Sequence, residues 1–157
     1  MPTNLYGPGD NYHPTNSHVL PALIRLFHEA AERGGARVTC WGSGTPMREF
    51  LRVDDLGEAC VFALEHWQLG PEEQQFLNVG TGVDLTIREL AEAVAEATGF
   101  QGEIHWDASK PDGTPKKQLD MSRLAELGWR KRISLKESLM STVALFRDQL
   151  RQQLVSL

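Results

Sequence analysis

Arg48-Glu49-Phe50-Leu51-Arg52-Val53-Asp54-Asp55 is the stretch on which the fold of this chain turns. Glu49 to Val53 reads as a short strand. Asp54-Asp55 then places negative charge where a helix macrodipole is positive, which predicts a helix running to about Gln68. Just upstream, Arg37 to Trp41 alternates in strand fashion and Gly42-Ser43-Gly44 turns the chain. Further back, residues 1–16 are rich in Asn, Pro, Gly and His and read as a loop. Ser17 is the expected cap of a helix to about Arg33, its apolar face formed by Val19, Leu20, Leu23, Leu26, Phe27 and Ala30, with Gly34-Gly35 as its stop.

Downstream, Phe76-Leu77-Asn78-Val79 running into Gly80-Thr81-Gly82 reads as a buried strand leaving a sheet. Thr86-Ile87-Arg88-Glu89 is a capping box that opens a helix to about Thr98, closed by Gly99. Glu103 to Trp106 reads as a strand, and Ser109 to Pro115 as a polar loop around Pro111-Asp112-Gly113. Asp120 or Ser122 caps a short helix ending at Gly128, and Ser134-Leu135-Lys136-Glu137 opens a last helix to about Leu150. Helices alternating with short strands make the class α/β.

Bulk composition narrows the function. A chain of 157 residues is long enough for one domain with a real core. Its hydrophobic share of 41% and charged share of 24% are those of a soluble globular protein. A net charge of −5 argues against nucleic-acid or anionic-membrane binding, so a polyanionic ligand needs a local basic pocket. No apolar run reaches the roughly 20 residues a membrane-spanning helix requires. The first ten residues lack the basic and apolar regions of a signal peptide. Cys40 and Cys60 make no disulfide framework and read as reduced thiols of a cytoplasmic protein. No metal site is expected. The 157 residues contain no Gly-x-Gly-x-x-Gly turn, no Gly-x-x-x-x-Gly-Lys loop and no Tyr-x-x-x-Lys pair, hence no complete catalytic machine.

Three runs, in this order and at this spacing, resemble the second half of the extended short-chain dehydrogenase/reductase family. Pro2-Thr3-Asn4-Leu5-Tyr6-Gly7-Pro8 is similar to the segment after the sixth strand of that fold. Arg48 to Asp55 is similar to its R-x-F-x-x-V-x-D motif, and Phe76 to Gly80 to the late strand that rejoins the nucleotide-binding sheet. Within the family, three further runs resemble the branch that acts on GDP-4-keto-6-deoxy-D-mannose: Asp10 to Leu23, Trp41-Gly42-Ser43-Gly44-Thr45-Pro46-Met47-Arg48 and Ser109-Lys110-Pro111-Asp112-Gly113-Thr114-Pro115. That resemblance implies a substrate-binding, carboxy-terminal portion carrying late strands of a Rossmann sheet, with residues of about 1–16 and 70–99 packing on a dinucleotide-binding domain not among these 157 residues. It implies an NADP(H)-dependent parent, homodimeric, which epimerises C3 and C5 and reduces C4 to give GDP-L-fucose. The portion alone is expected to be inactive and, with one strand of an incomplete sheet exposed, to self-associate or show disorder around residues 70–85. A non-catalytic nucleotide-sugar-binding module stays open as an alternative, as does another extended-family epimerase, although the runs at 41–48 and 110–115 argue against the latter.

The resemblance also assigns residues. His18 is the expected catalytic acid, because imidazole exchanges a proton near neutral pH, and it also lies beside the cofactor. Pro2, Thr3, Asn4 and Leu5 pass the nicotinamide. Arg48 is the expected diphosphate ligand, since guanidinium binds phosphate oxygens in a bidentate way. Trp41 stacks on the guanine or ribose, Asp112 accepts from the guanine edge, and Lys117 adds charge near the phosphates. Arg25, seven residues after His18 on the same helix face, is expected to reach the diphosphate. Leu26 stands where the family tends to carry a second basic residue. Asp54 and Asp55 are read as helix-capping acids paired with Arg48 or Arg52.

Overall fold

The structure, a computed structural model, describes residues 1–68, 70 and 76–152. In chain order its elements are β1 (Asn4–Tyr6), α1 (Val19–Glu32), β2 (Arg37–Trp41), β3 (Met47–Arg48), β4 (Phe50–Arg52), α2 (Val53–His66), β5 (Leu85–Thr86), α3 (Ile87–Thr98), β6 (Glu103–Asp107), β7 (Lys116–Lys117), α4 (Ser122–Glu126) and α5 (Leu135–Arg151). The α/β class holds. The strands form three small sheets: β1 with β4 in parallel, β2 with β6 in parallel, and β3 between β5 and β7.

Successive strand residues point to opposite faces, and β4 uses this to separate two cores. Phe50 belongs to the larger one, with Leu20, Ile24 and Phe27 of α1, Leu90 and Val94 of α3, and Leu139, Val143 and Phe146 of α5. Leu51 belongs to the smaller one, with Ala59, Leu77, Leu124 and Trp129. Each fully buried Leu, Ile or Phe contributes about 1.5–3 kcal/mol by leaving water. Arg52 reaches α5 through Ser141 Oγ (2.7 Å) and pairs with Asp54 (2.5 Å).

Several local expectations change. The segment read as a loop at 1–16 contains β1, because Asn4 to Tyr6 finds a partner in β4. Helix α1 begins after His18, not Ser17, and no side chain caps it. Its buried face includes Ile24, whereas Val19 and Leu26 lie at the solvent edge. Asp55 does not serve its own helix: buried, it accepts the N–H groups of Arg132 (3.1 Å) and Ile133 (3.2 Å), fastening the approach to α5 onto α2. Phe76 to Val79 forms no strand; Val79 makes one parallel bridge to Pro2. The 70–99 range includes α3, whose buried face packs against α1 and α5. Residues 71–75 of that range lie outside the described residues. The capping box at α3 is complete, whereas at α5 only half of it forms: Ser134 Oγ accepts from the Glu137 N–H and donates to the Glu137 carboxylate.

Between β3 and β4 stands Glu49, fully buried. Its Oε1 accepts the N–H groups of Thr81 and Gly82 (2.6 Å for the latter), Oε2 accepts from Leu119 N–H at 3.4 Å, and its carbonyl accepts from Thr3 Oγ1 (3.1 Å) and Asn4 Nδ2 (2.8 Å). Removing the carboxylate leaves buried donors unpaired. Glu49→Ala is therefore expected to cost about 3 kcal/mol in chemical denaturation, whereas Glu103→Ala, which breaks only the exposed pair with Arg37, costs about 1 kcal/mol or less. Equal losses would remove Glu49 from its central place.

Candidate functional site

The chain leaves β2 at Trp41, whose indole is 74% exposed, and turns through Gly42 and Gly44, both with φ near +80°. That turn admits only glycine comfortably. A Cβ at 42 would collide with Asp112 Oδ1, and one at 44 would lie 2.9 Å from the Trp106 ring. Asp112 is drawn in from the 109–115 loop by Ser43: the Ser43 N–H donates to Oδ1 (2.9 Å) and its hydroxyl to Oδ2 (2.7 Å). These bonds, the hydroxyl first, hold the exposed Asp112 carboxyl below the ordinary carboxylate range. Lys110 from the same loop places its ammonium 5.6 Å over the Trp41 ring.

Arg48 ends β3 and is half-buried. Its Nη1 donates to the carbonyls of Met47 (2.7 Å) and Thr114 (2.6 Å), and Nη2 sits over Gly113, 3.0 Å from where a Cβ would stand. The guanidinium is thus fixed by one nitrogen, while no described protein bond occupies Nη2. Lys117 lies opposite Arg48 in the β3–β7 register. Trp41, Arg48, Asp112 and Lys117 therefore come from two segments, 41–48 and 109–117, that are laced together.

His18 is exposed at the N-terminus of α1, and that helix has neither a side-chain cap nor an acid in its first turn. Asp10, given no role of its own by the sequence, lies within electrostatic reach of His18: burial pushes the Asp10 carboxyl up, opposed by the Asn11 N–H and by His18. Spacing alone gave no sign of this pair, because the residues are joined by an irregular loop. Pro2 to Leu5 runs into β1 and is held by the Glu49 carbonyl through Thr3 and Asn4. Arg25 differs from its expectation. It is 9% exposed, ion-paired with Glu29 at 2.7 Å and donating to the Tyr12 carbonyl at 3.0 Å. An acid one turn on captures the guanidinium and applies it to the loop before His18.

The family profile described as "NAD dependent epimerase/dehydratase family" matches residues 1–80, which hold the Pro2–Leu5 segment, His18 and the Arg48 motif. The chain belongs to that family. Among its relatives, GDP-L-fucose synthase 1 of Arabidopsis thaliana is 57% identical over 142 residues, covering 90% of this chain and 43% of the relative. GDP-L-fucose synthase of Escherichia coli (strain K12) is 55% identical over 153 residues, covering 94% and 48%. The solved structure of a GDP-L-fucose synthetase from Naegleria fowleri bound to NADP superposes with a TM-score of 0.84 at 25% identity, over 96% of this chain and 46% of that one. The chain spans somewhat under half the length of these relatives, as the 43% and 48% figures show. Its α/β fold is that of the family's extended short-chain members.

The Ser43 clamp has a direct readout. Ser43→Ala removes the larger of the two bonds that depress Asp112, so its carboxyl midpoint in a carbon-detected NMR titration is expected to rise toward the ordinary value. A depressed carboxyl favours the native state above the ordinary carboxylate range and loses that contribution as pH falls through the lowered midpoint. An unmoved midpoint in Ser43→Ala would mean that the clamp is absent in solution.

Proposed function

We propose that this chain supplies the nucleotide-sugar wall of an NADPH-dependent epimerase-reductase that makes GDP-L-fucose from GDP-4-keto-6-deoxy-D-mannose. The observation that carries the reading is Arg48: a motif arginine fixed by carbonyls on Nη1, with Nη2 over a glycine and an exposed indole and a lysine on the neighbouring segments. A diphosphate fits such a guanidinium, which offers paired donors without a reorientation cost. Trp41 takes the flat face of the nucleoside, and Lys117 faces the phosphates. Asp112, although each oxygen already accepts from Ser43, has acceptor capacity for the guanine N–H groups. Arg25 acts at one remove, through the Tyr12 loop.

His18 delivers a proton to the sugar carbon next to the C4 ketone, on the face opposite that from which a proton is removed, and Asp10 lies within electrostatic reach of it. Bound NADPH supplies the hydride to C4. The residues present suit its nicotinamide end: Thr3 and Asn4 are pinned through their donors to Glu49, which leaves Asn4 Oδ1 as an acceptor for a carboxamide. Residues 1–6 and 76–82 form the face toward the rest of the parent, supported by the parallel bridge that joins them at Pro2 and Val79 and by the greater length of the relatives. A homodimeric, cytoplasmic parent belongs to the same reading, supported by the family resemblance and by two cysteines that are both free.

Calorimetric titration of the 157-residue chain tests this. GDP and GDP-mannose are expected to bind more tightly than ADP or UDP, and Arg48→Ala to weaken GDP by about 1.5–3 kcal/mol, the scale of a charge-assisted bond. NADPH mixed with the keto-sugar and this chain alone is expected to stay unoxidised. Affinity unchanged in Arg48→Ala, or no guanine preference, would defeat the proposal.

A further inference from the structure

We infer that Arg88, in the first turn of α3, is the positioning residue for the base-facing end of this site, setting Asp112 and Trp41 through the Ser43 peptide. The inference rests on the roles given above to those two residues.

Arg88 stands in the wrong place for its helix. A cation in the first turn opposes the macrodipole, and the neighbouring Thr86–Glu89 capping box already supplies the favourable acid. Among the described residues its guanidinium enters no ion pair. A residue that breaks a local rule without a local gain points to a longer-range task. Here the contacts name it. Arg88 Nη2 donates to the Ser43 carbonyl at 2.8 Å, its backbone N–H donates to the Gly44 carbonyl at 2.9 Å, and its Cζ lies 4.8 Å above the Trp106 ring.

The three contacts converge on one turn. Ser43 has its carbonyl held by Arg88, while its N–H and hydroxyl hold the two Asp112 oxygens. Trp106, beneath Arg88, also underlies Gly44 at a separation that excludes any Cβ there. The 41–45 turn is thus gripped from α3, β6 and the 109–115 loop; α3 is anchored in the large core by the fully buried Leu90, Ala91 and Val94, and Trp106 of β6 packs against the same core. Guanidinium suits the task because its flat face stacks on an indole while its edge donates to a carbonyl; an ammonium keeps the charge but loses the planar fork. Phosphate contact stays with Arg48, which Arg88 does not touch in any described hydrogen bond. The prediction is a split between base recognition and phosphate binding.

Two measurements on the 157-residue chain test it. Arg88→Gln is expected to raise the Asp112 carboxyl midpoint and weaken GDP about fivefold, while inorganic diphosphate changes by less than about twofold, since one hydrogen-bonded brace is lost and no phosphate ligand is. Arg88→Lys, which keeps the charge, is expected to resemble Arg88→Gln. An Asp112 midpoint that does not move, or one that Arg88→Lys restores fully, would overturn the brace, the second because charge alone would explain it. Parallel loss of GDP and diphosphate would overturn it too, as general damage to the fold. If the unsubstituted chain binds diphosphate without preferring guanine while Asp112 still responds to Arg88, the reading of the site fails and the nucleotide role of Arg88 fails with it, but the mechanical link from α3 to Asp112 stands.

Discussion

A fully buried carboxylate, that of Glu49, is the constraint around which the chain is arranged. Taking a carboxylate out of water is expensive unless donors meet it. Here Thr81 and Gly82 present successive N–H groups to one oxygen, and Leu119 approaches the other. The approach of the 80–82 loop is so close that a Cβ at Gly80 would collide with the same carboxylate. The backbone of Glu49 is used as well, its carbonyl taking donors from both Thr3 and Asn4. One residue therefore joins the amino-terminal segment, the loop before α3 and the segment between β7 and α4.

Glu49 is also where the chain changes sheets. Met47–Arg48 pairs with β5 and β7, whereas Phe50–Arg52 pairs with β1. The residue before the corner, Arg48, carries the expected diphosphate contact, and the two residues after it, Phe50 and Leu51, feed different cores. The proposed substrate contact and the proposed cofactor segment consequently meet across one peptide, with Arg48 on one side of Glu49 and Thr3 and Asn4 bonded to its carbonyl. Placement of this kind leaves little freedom for one to shift without the other, which is what a reaction that brings a sugar and a nicotinamide together requires.

What the sequence disclosed follows from how local each signal is. The helix starts at Thr86 and Ser134 were legible because a capping box is written in four consecutive residues. The strand at Arg37–Trp41 was legible from its alternation, which the burial pattern repeats. The motif residues Trp41, Arg48, Asp112 and Lys117 were named from short runs, and the structure places them on two adjoining segments. The misses are those that depend on partners far along the chain. Asn4 to Tyr6 looked like loop because its strand character comes from pairing with residues 50–52. Asp55 looked like a cap because its acceptors' partners lie more than seventy residues away, at Arg132 and Ile133. The helix face of Arg25 is written in its spacing from His18, but the pull of Glu29 and Tyr12 on its guanidinium is not. Nothing in Phe76–Val79 distinguishes a strand from an extended segment that makes a single bridge, since both need the same apolar run.

In the proposed function a chain of net charge −5 holds a dianionic diphosphate, and the arrangement of its charges bears on how. Acids over much of the molecule are matched locally: Glu29 takes Arg25 and Arg33, Asp54 takes Arg52, and Glu58 takes Arg132. Around the 41–48 and 109–117 segments the balance reverses. Arg48, Arg88, Lys110 and Lys117 enter no described ion pair, and the nearby Asp112 is already engaged by two donors from Ser43. A cluster of cations on a solvent-facing edge produces a positive field that reaches about one Debye length, roughly 8–10 Å at physiological salt. Beyond that distance the overall negative charge dominates and repels an anion weakly. The diphosphate is therefore favoured by geometry at close range more than by attraction at long range, which places the burden of affinity on how rigidly Arg48 and the turn at 41–45 are held.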